Sequence, residues 1–141
     1  MEFLLMKSRE TLIRLKRFQV DEKRRRVAQI ETMVAEFARM AADLDREIAA
    51  EEHRSGISDL AHFAYPTYAK AARTRRDNLV CSADDLKAQL ADAQAELGEA
   101  FEALKKVEIL ENRERSAERA ADAAREQTAL DSLGLSRAMG A

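Results

Sequence analysis

Residues 55–68, which read SGISDLAHFAYPTY, decide the fold because they hold the only cluster of turn-forming residues in the chain. Gly56 suits the left-handed backbone conformation found just after a helix. Pro66 is the single proline, and it suits the first turn of a helix, where its missing N–H would have had no partner. Asp59 can cap a short helical turn between them. One break in 141 residues predicts two long helices.

Apolar residues recur on both sides of this turn at the three-and-four spacing of a left-handed coiled coil. The core positions before the turn are Ile13, Val20, Val27, Val34, Ala41 and Ile48, alternating with Lys16, Lys23, Ile30, Phe37 and Leu44. Those after the turn are Leu79, Ala83, Leu86, Leu90, Ala93, Leu97, Ala100, Leu104 and Val107. Neither helix is stable alone in water with its apolar seam exposed, so we expect the two seams to pack together.

Charge supports an antiparallel arrangement of the two helices. Residues 7–26 hold nine basic and three acidic side chains, whereas residues 31–52 hold two basic and seven acidic ones. After the turn the order is the same: residues 66–80 hold four basic and one acidic, and residues 84–118 five basic and ten acidic. Folding the chain near residue 60 places each basic segment against an acidic one, whereas a parallel homodimer would set like charges side by side.

The predicted fold is therefore all-α: a single domain over 1–141 in which two long helices form an antiparallel coiled-coil hairpin. The expected bounds are helix 1 at about 7–54, the turn at about 55–65 and helix 2 at about 66–130. Residues from about 112 onward have no counterpart in helix 1 and should overhang. Gly134 and Gly140 indicate a frayed C-terminal end.

Composition excludes several classes of protein. A net charge of −2 argues against a protein that coats nucleic acid, and four glycines with one proline are too few for the turns of an α/β enzyme. The single cysteine, Cys81, forms no internal disulfide, which fits a reducing compartment. No apolar run is long enough for a transmembrane helix, and the apolar start is too short for a signal peptide.

The motifs of common active sites are missing. No phosphate-binding glycine loop, H-E-x-x-H motif or Cys-x-x-Cys pair can be written with these residues. We interpret His53 and His62 as solvated turn residues and Cys81 as a small packing residue. We therefore expect no catalytic residue, metal or cofactor, and no enzyme activity.

A basic set on helix 1 is the first candidate site. Its members are Arg14, Lys16, Arg17, Lys23, Arg24, Arg25 and Arg26. Lys16 and Lys23 occupy seam positions where an apolar residue is expected, so we expect looser packing at this end of the hairpin. The set could pair internally with the acidic segment, dock an acidic partner, or read DNA as the basic helix of a zipper protein does.

An aromatic cluster at the turn is the second candidate site. It comprises Phe63, Tyr65 and Tyr68, with Pro66 between the tyrosines. These rings could cap the open end of the hairpin core, or they could form a contact patch, because tyrosine and phenylalanine are favoured interface residues. Both interpretations can hold together.

The start of the chain and the turn resemble the flagellar export protein family FliJ in its alphaproteobacterial form. The likeness lies in MKSR at 6–9, LIRLKRF at 12–18, the charged run at 21–26 and FAYPTYA at 63–69. It covers roughly residues 6–125, so Met1 to Leu5 stand ahead of it as an upstream start or an added extension.

The resemblance implies a non-enzymatic component of the flagellar type III export apparatus, cytoplasmic and peripherally associated with the inner membrane at the flagellar base. Family members form an antiparallel two-helix stalk whose end with both termini enters the export ATPase ring. The other end meets the membrane export gate, and members also assist export chaperones. The resemblance thus places the basic set at the ATPase end and Phe63, Tyr65, Pro66 and Tyr68 at the gate end. The charge pattern favours a monomeric hairpin over a homodimer, and we expect no nucleic-acid partner.

Two other functions remain open on the residues alone. One is a nucleic-acid binder that uses the basic helix, whose affinity would fall steeply with salt. The other is a self-associating coiled-coil scaffold, which sedimentation equilibrium would distinguish from a monomeric hairpin.

Overall fold

A computed structural model describes the backbone of residues 2–140 and the side chains of residues 4–140. It contains two helices, α1 (Glu2–Ser55) and α2 (Thr67–Gly140), and no strand within the described residues. The helices pack against each other, which confirms the all-α hairpin predicted from the sequence. Met1 and Ala141, the two ends of the expected domain, lie outside the described residues.

Both helices are longer than the sequence predicts. Helix α1 begins at Glu2 rather than near residue 7, and α2 continues to Gly140 rather than ending near residue 130. Gly134 lies within α2, because a single glycine costs a helix only about 1 kcal/mol and its neighbours, Leu133 and Leu135, are good helix formers. The expected fraying of this end stays a prediction.

The turn follows the chemistry expected of its residues. Gly56 has a φ of +74°, and its N–H donates to the Glu52 carbonyl at 2.9 Å, which ends α1. The Asp59 side chain accepts from the Ala61 N–H at 3.0 Å and holds a short turn. The Pro66 carbonyl accepts from the Lys70 N–H at 3.0 Å, so Pro66 stands immediately before α2.

The described contacts group into two units, and the single domain expected from the sequence stays a prediction. Unit 2 (Val20–Glu99) contains the turn and two apolar clusters in its core. One cluster centres on Ile30, which is 1% exposed and packs with Leu86 and Ala93. The other joins Leu44 and Ile48 of α1 to Ala72 and Leu79 of α2. All of these residues lie at predicted seam positions, and Ala72 lies one heptad before Leu79, where the second seam extends backward.

Unit 1 consists of Met1–Gln19 with Ala100–Ala141, of which residues 2–19 and 100–140 are described. Its buried apolar residues are Ile13 and Leu104. Packing of α2 continues to Glu118, which is half-buried, and every residue of 119–140 is exposed. The overhang therefore begins about two turns later than the predicted residue 112, because α1 starts earlier and supplies more helix to pack against.

Candidate interaction surfaces

Ion pairs between the helices follow the predicted charge pattern in each unit. In unit 2, Lys23 Nζ lies 2.9 Å from Glu96 Oε2, and Arg76 Nη1 lies 2.9 Å from Asp45 Oδ1. Each pair joins a basic segment of one helix to an acidic segment of the other. Because these pairs lie at the surface, each contributes little to stability, but together they favour the antiparallel alignment.

In unit 1 the ion pairs between the helices also join a basic residue of α1 to an acidic residue of α2. Arg9 pairs with Glu114, and Arg17 Nη2 lies 3.6 Å from Glu108 Oε1. Arg9 lies one heptad before Lys16, so it occupies the same seam position. Arg9 was not predicted as a seam residue, although the seven-residue repeat extended backward by one heptad reaches it.

Lys16 and Lys23 differ in how the structure satisfies their charge. Both are half-buried at the seam. The hydrogen bond from Lys23 to Glu96 raises the pKa of Lys23 and lowers that of Glu96. Lys16 has no ion pair among the described residues. The seam of unit 1 therefore contains a cation without a carboxylate.

The remaining basic residues of the candidate site are turned to solvent. In unit 2, Arg24, Arg25 and Arg26 are all exposed and form no ion pair with a described residue. In unit 1, Arg14 is exposed and unpaired, and with Arg17 it lines a groove of about 510 Å³. Glu10, Ile13, Glu108, Glu111, Asn112 and Arg115 complete the lining of this groove. Internal pairing thus accounts for Arg17 and Lys23, and leaves the other arginines available.

Tyr65 belongs to a closed hydrogen-bond network under the turn. Its hydroxyl donates to Glu52 Oε1 at 2.7 Å and accepts from Arg73 Nε at 2.9 Å. Arg73 Nη2 also donates to Glu52 Oε1 at 2.6 Å. The Arg73 and Tyr65 hydrogen bonds lower the pKa of Glu52, and the same contacts raise the pKa of Arg73. Tyr65 is only 9% exposed, so it caps the core as the first interpretation of the cluster proposed.

The other residues of the cluster are more accessible. The Phe63 side chain is 97% exposed and stacks on His62, with ring centroids 4.8 Å apart. Tyr68 is 55% exposed, and its hydroxyl donates to Glu47 Oε2 at 2.7 Å, which raises the pKa of Tyr68. Pro66 is half-buried. The four aromatic-site residues therefore divide into a buried Tyr65 and an outward-facing surface formed chiefly by Phe63 and Tyr68.

Cys81 is exposed, so the prediction that it packs in the core is wrong. Leu79 and Ala83 take the seam positions on either side, and Cys81 falls between them on the outer surface of α2. His53 and His62 are exposed, as predicted for solvated turn residues. Within residues 2–140 no cluster of three metal-binding side chains occurs. Neither described helix has an apolar stretch that could cross a membrane.

Exposed apolar side chains in unit 1 are the feature that sequence reasoning missed. On α1 they include Leu4, Leu12, Leu15 and Phe18, each at least 40% exposed. They lie outside the main seam, and their own helical spacing was the signal that could have found them.

The family comparison adds to this geometry. The family model described as "Flagellar FliJ protein" matches residues 6–141, nearly the whole chain, and its match begins at the residue where the sequence resemblance begins. The chain belongs to the FliJ family. The FliJ family is a non-enzymatic part of the flagellar export apparatus, which makes this chain a flagellar export protein. No curated protein and no solved structure is similar enough to count as a match.

Proposed function

We propose that this FliJ-family chain is a stalk or adaptor that couples the flagellar export ATPase to the membrane export gate and assists export chaperones. It acts in the cytoplasm as a monomeric hairpin, held peripherally at the inner membrane below the flagellum. The observation that carries the proposal is the division of charge on α1. Arg17 and Lys23 pair with α2, whereas Arg24, Arg25 and Arg26 are exposed and form no ion pair with a described residue.

The basic set supports contact with the ATPase. Clusters of unpaired arginines on an otherwise charge-balanced protein favour docking against an acidic protein surface, and they accelerate encounter as well as binding. Under this proposal, Arg24, Arg25 and Arg26 bind the ATPase directly. Arg14 and Lys16 of unit 1 contribute charge, while Arg17 and Lys23 mainly hold the hairpin together.

The turn supports contact with the export gate. An almost fully exposed phenylalanine beside a half-exposed tyrosine offers apolar area at little cost in side-chain entropy, as interface aromatics do. Under this proposal Phe63 and Tyr68 bind the gate. Tyr65 and Pro66 do not bind the gate themselves. They hold the turn in the conformation that exposes Phe63 and Tyr68.

Binding to the purified export ATPase at physiological salt tests the proposal. Replacing all three of Arg24, Arg25 and Arg26 by glutamine should raise the Kd by about tenfold or more, because it removes three positive charges from a complementary interface. A matched control is the triple replacement of Arg39, Arg75 and Lys87 with glutamine, which removes the same charge from exposed positions elsewhere in unit 2. Equal binding by both variants, with helicity intact by circular dichroism, would contradict the ATPase contact.

A further inference from the structure

The outer face of α1 in unit 1 carries a second helical stripe. It consists of Leu4, Ser8, Thr11, Leu15 and Phe18, at the alternating four-and-three spacing that aligns residues along one face of a helix. The buried seam residue Ile13 belongs to the other face. In unit 1, α1 thus carries two stripes on opposite faces. One is covered by α2, and the other is open to solvent.

Three of the five residues in the open stripe are apolar and exposed. Leu4, Leu15 and Phe18 are 66%, 50% and 52% exposed. The Thr11 hydroxyl donates to the Lys7 carbonyl at 2.9 Å, so its hydrogen-bonding group is satisfied within the helix. A water-exposed apolar stripe about four turns long is unusual unless another surface covers it.

The stripe also has a shape that suits a helix. Its two small residues, Ser8 and Thr11, lie beside Leu4 and leave a shallow depression of about 350 Å³, which Lys7 borders on one side. In coiled coils, such a gap between larger side chains receives an apolar side chain from the facing helix. Fluid lipid chains conform to any surface, so a depression of fixed shape adds no specificity for them.

The charge beside the stripe indicates which charge the partner carries next to its apolar residues. Residues 4–18 hold five basic side chains and one acidic, a surplus of +4. Arg9 and Arg17 pair with α2, but Arg14, on the exposed side, has no ion pair among the described residues. A second copy that used the same stripe would bring like charges together, and an acidic partner would satisfy them.

We propose that the Leu4–Phe18 stripe is a docking site for an amphipathic helix with acidic flanks, which packs as a third helix against unit 1. The partner places an apolar side chain in the depression beside Ser8 and a carboxylate against Arg14. Apart from Arg14, this surface uses none of the residues assigned to the proposed ATPase contact, and it does not depend on the contact of Arg24, Arg25 and Arg26.

Two labelled helical peptides test the proposal on the full chain. Both have leucine at the heptad core positions; one has glutamate and the other lysine at the flanking positions. Fluorescence anisotropy should show the glutamate peptide binding at least about tenfold more tightly than the lysine peptide. The double variant Leu15→Ala with Phe18→Ala should weaken binding of the glutamate peptide by about tenfold or more. Arg14→Glu should reduce the preference for glutamate over lysine.

The double variant Met33→Ala with Val80→Ala is the matched control, because it removes exposed apolar side chains from unit 2. It should bind the glutamate peptide as the unaltered chain does. Absence of glutamate-peptide binding, or equal loss in both double variants, would overturn the proposal. Stronger binding to vesicles containing anionic lipid than to the peptide would also overturn it, if that binding is lost in the Leu15 and Phe18 variant. Dimerisation in sedimentation equilibrium that is lost in the same variant would do so too.

Discussion

The Tyr65 hydroxyl lies 2.7 Å from Glu52 Oε1 and so ties the turn to the last turns of α1. Arg73 from α2 closes the triangle, which means that three separate parts of the chain meet at one carboxylate oxygen. This arrangement makes Tyr65 a structural residue inside a segment that otherwise faces outward.

Tyr65→Phe should lower the free energy of unfolding by about 1 kcal/mol, since it keeps the ring but removes the hydroxyl that bridges Glu52 and Arg73. Urea unfolding followed by circular dichroism measures this change. The control is Phe63→Ala, which removes an almost fully exposed ring and should change stability by less than about 0.5 kcal/mol. A larger loss for Phe63→Ala than for Tyr65→Phe would contradict the assigned roles.

The stability contribution of Glu52 should depend on pH. Its pKa in the folded chain is held below the ordinary value of 4.5, chiefly by the Arg73 hydrogen bond and then by that of Tyr65. The contribution is therefore complete above pH 4.5 and is lost as the pH falls through the lower folded value. Melting temperatures of the unaltered chain and Glu52→Gln should differ at pH 6 and converge towards pH 3. A difference that stays constant over this range would show that Glu52 acts by packing alone.

Lys16→Leu should stabilise the hairpin by about 1 kcal/mol, because it replaces an unpaired, half-buried cation at a seam position with an apolar side chain. Lys23→Leu is the informative comparison. It should gain less, since it also removes the 2.9 Å pair with Glu96. Thermal unfolding of the two variants decides the point, and a greater gain from Lys23→Leu would reverse the argument.

Phe63→Ala should impair flagellar export while leaving the hairpin folded. The ring has almost no contact to lose within the chain, so a defect would arise from a partner. Swimming in soft agar and the level of secreted flagellar protein measure the effect in cells that lack the native copy. Normal export by Phe63→Ala together with normal export by Tyr68→Ala would remove the turn from the proposed gate contact.

The hairpin could be predicted from the sequence because its determinants are local and repetitive. Gly56 adopts the positive φ expected after a helix, and the heptad positions occupy the core as predicted. Side-chain roles at the turn could not be assigned in the same way. The burial of Tyr65 depends on Glu52 and Arg73, which are distant in sequence, whereas Phe63 has no such partners.

Two features were predicted wrongly or missed because only the main apolar repeat of each helix was considered. Cys81 comes two residues after the seam residue Leu79, and side chains two residues apart on a helix point about 160° apart, so the two residues do not share a face. The stripe containing Leu15 and Phe18 was overlooked because it repeats at the same spacing as the main seam on a different face. A search for every apolar heptad on each helix would have found it.

The exposed end of α2 should be much less stable than the rest of the hairpin. Residues 119–140 have no buried side chain, so their helix is maintained by backbone hydrogen bonds and by local side-chain contacts such as that of Gln127 with Asp131, and helices of this kind are only marginally stable in water. Amide exchange there should run far ahead of exchange in the core, and limited proteolysis should remove this end first. Truncation after Glu118 should then leave the melting transition almost unchanged, which allows any recognition by the tail to be separated cleanly from folding.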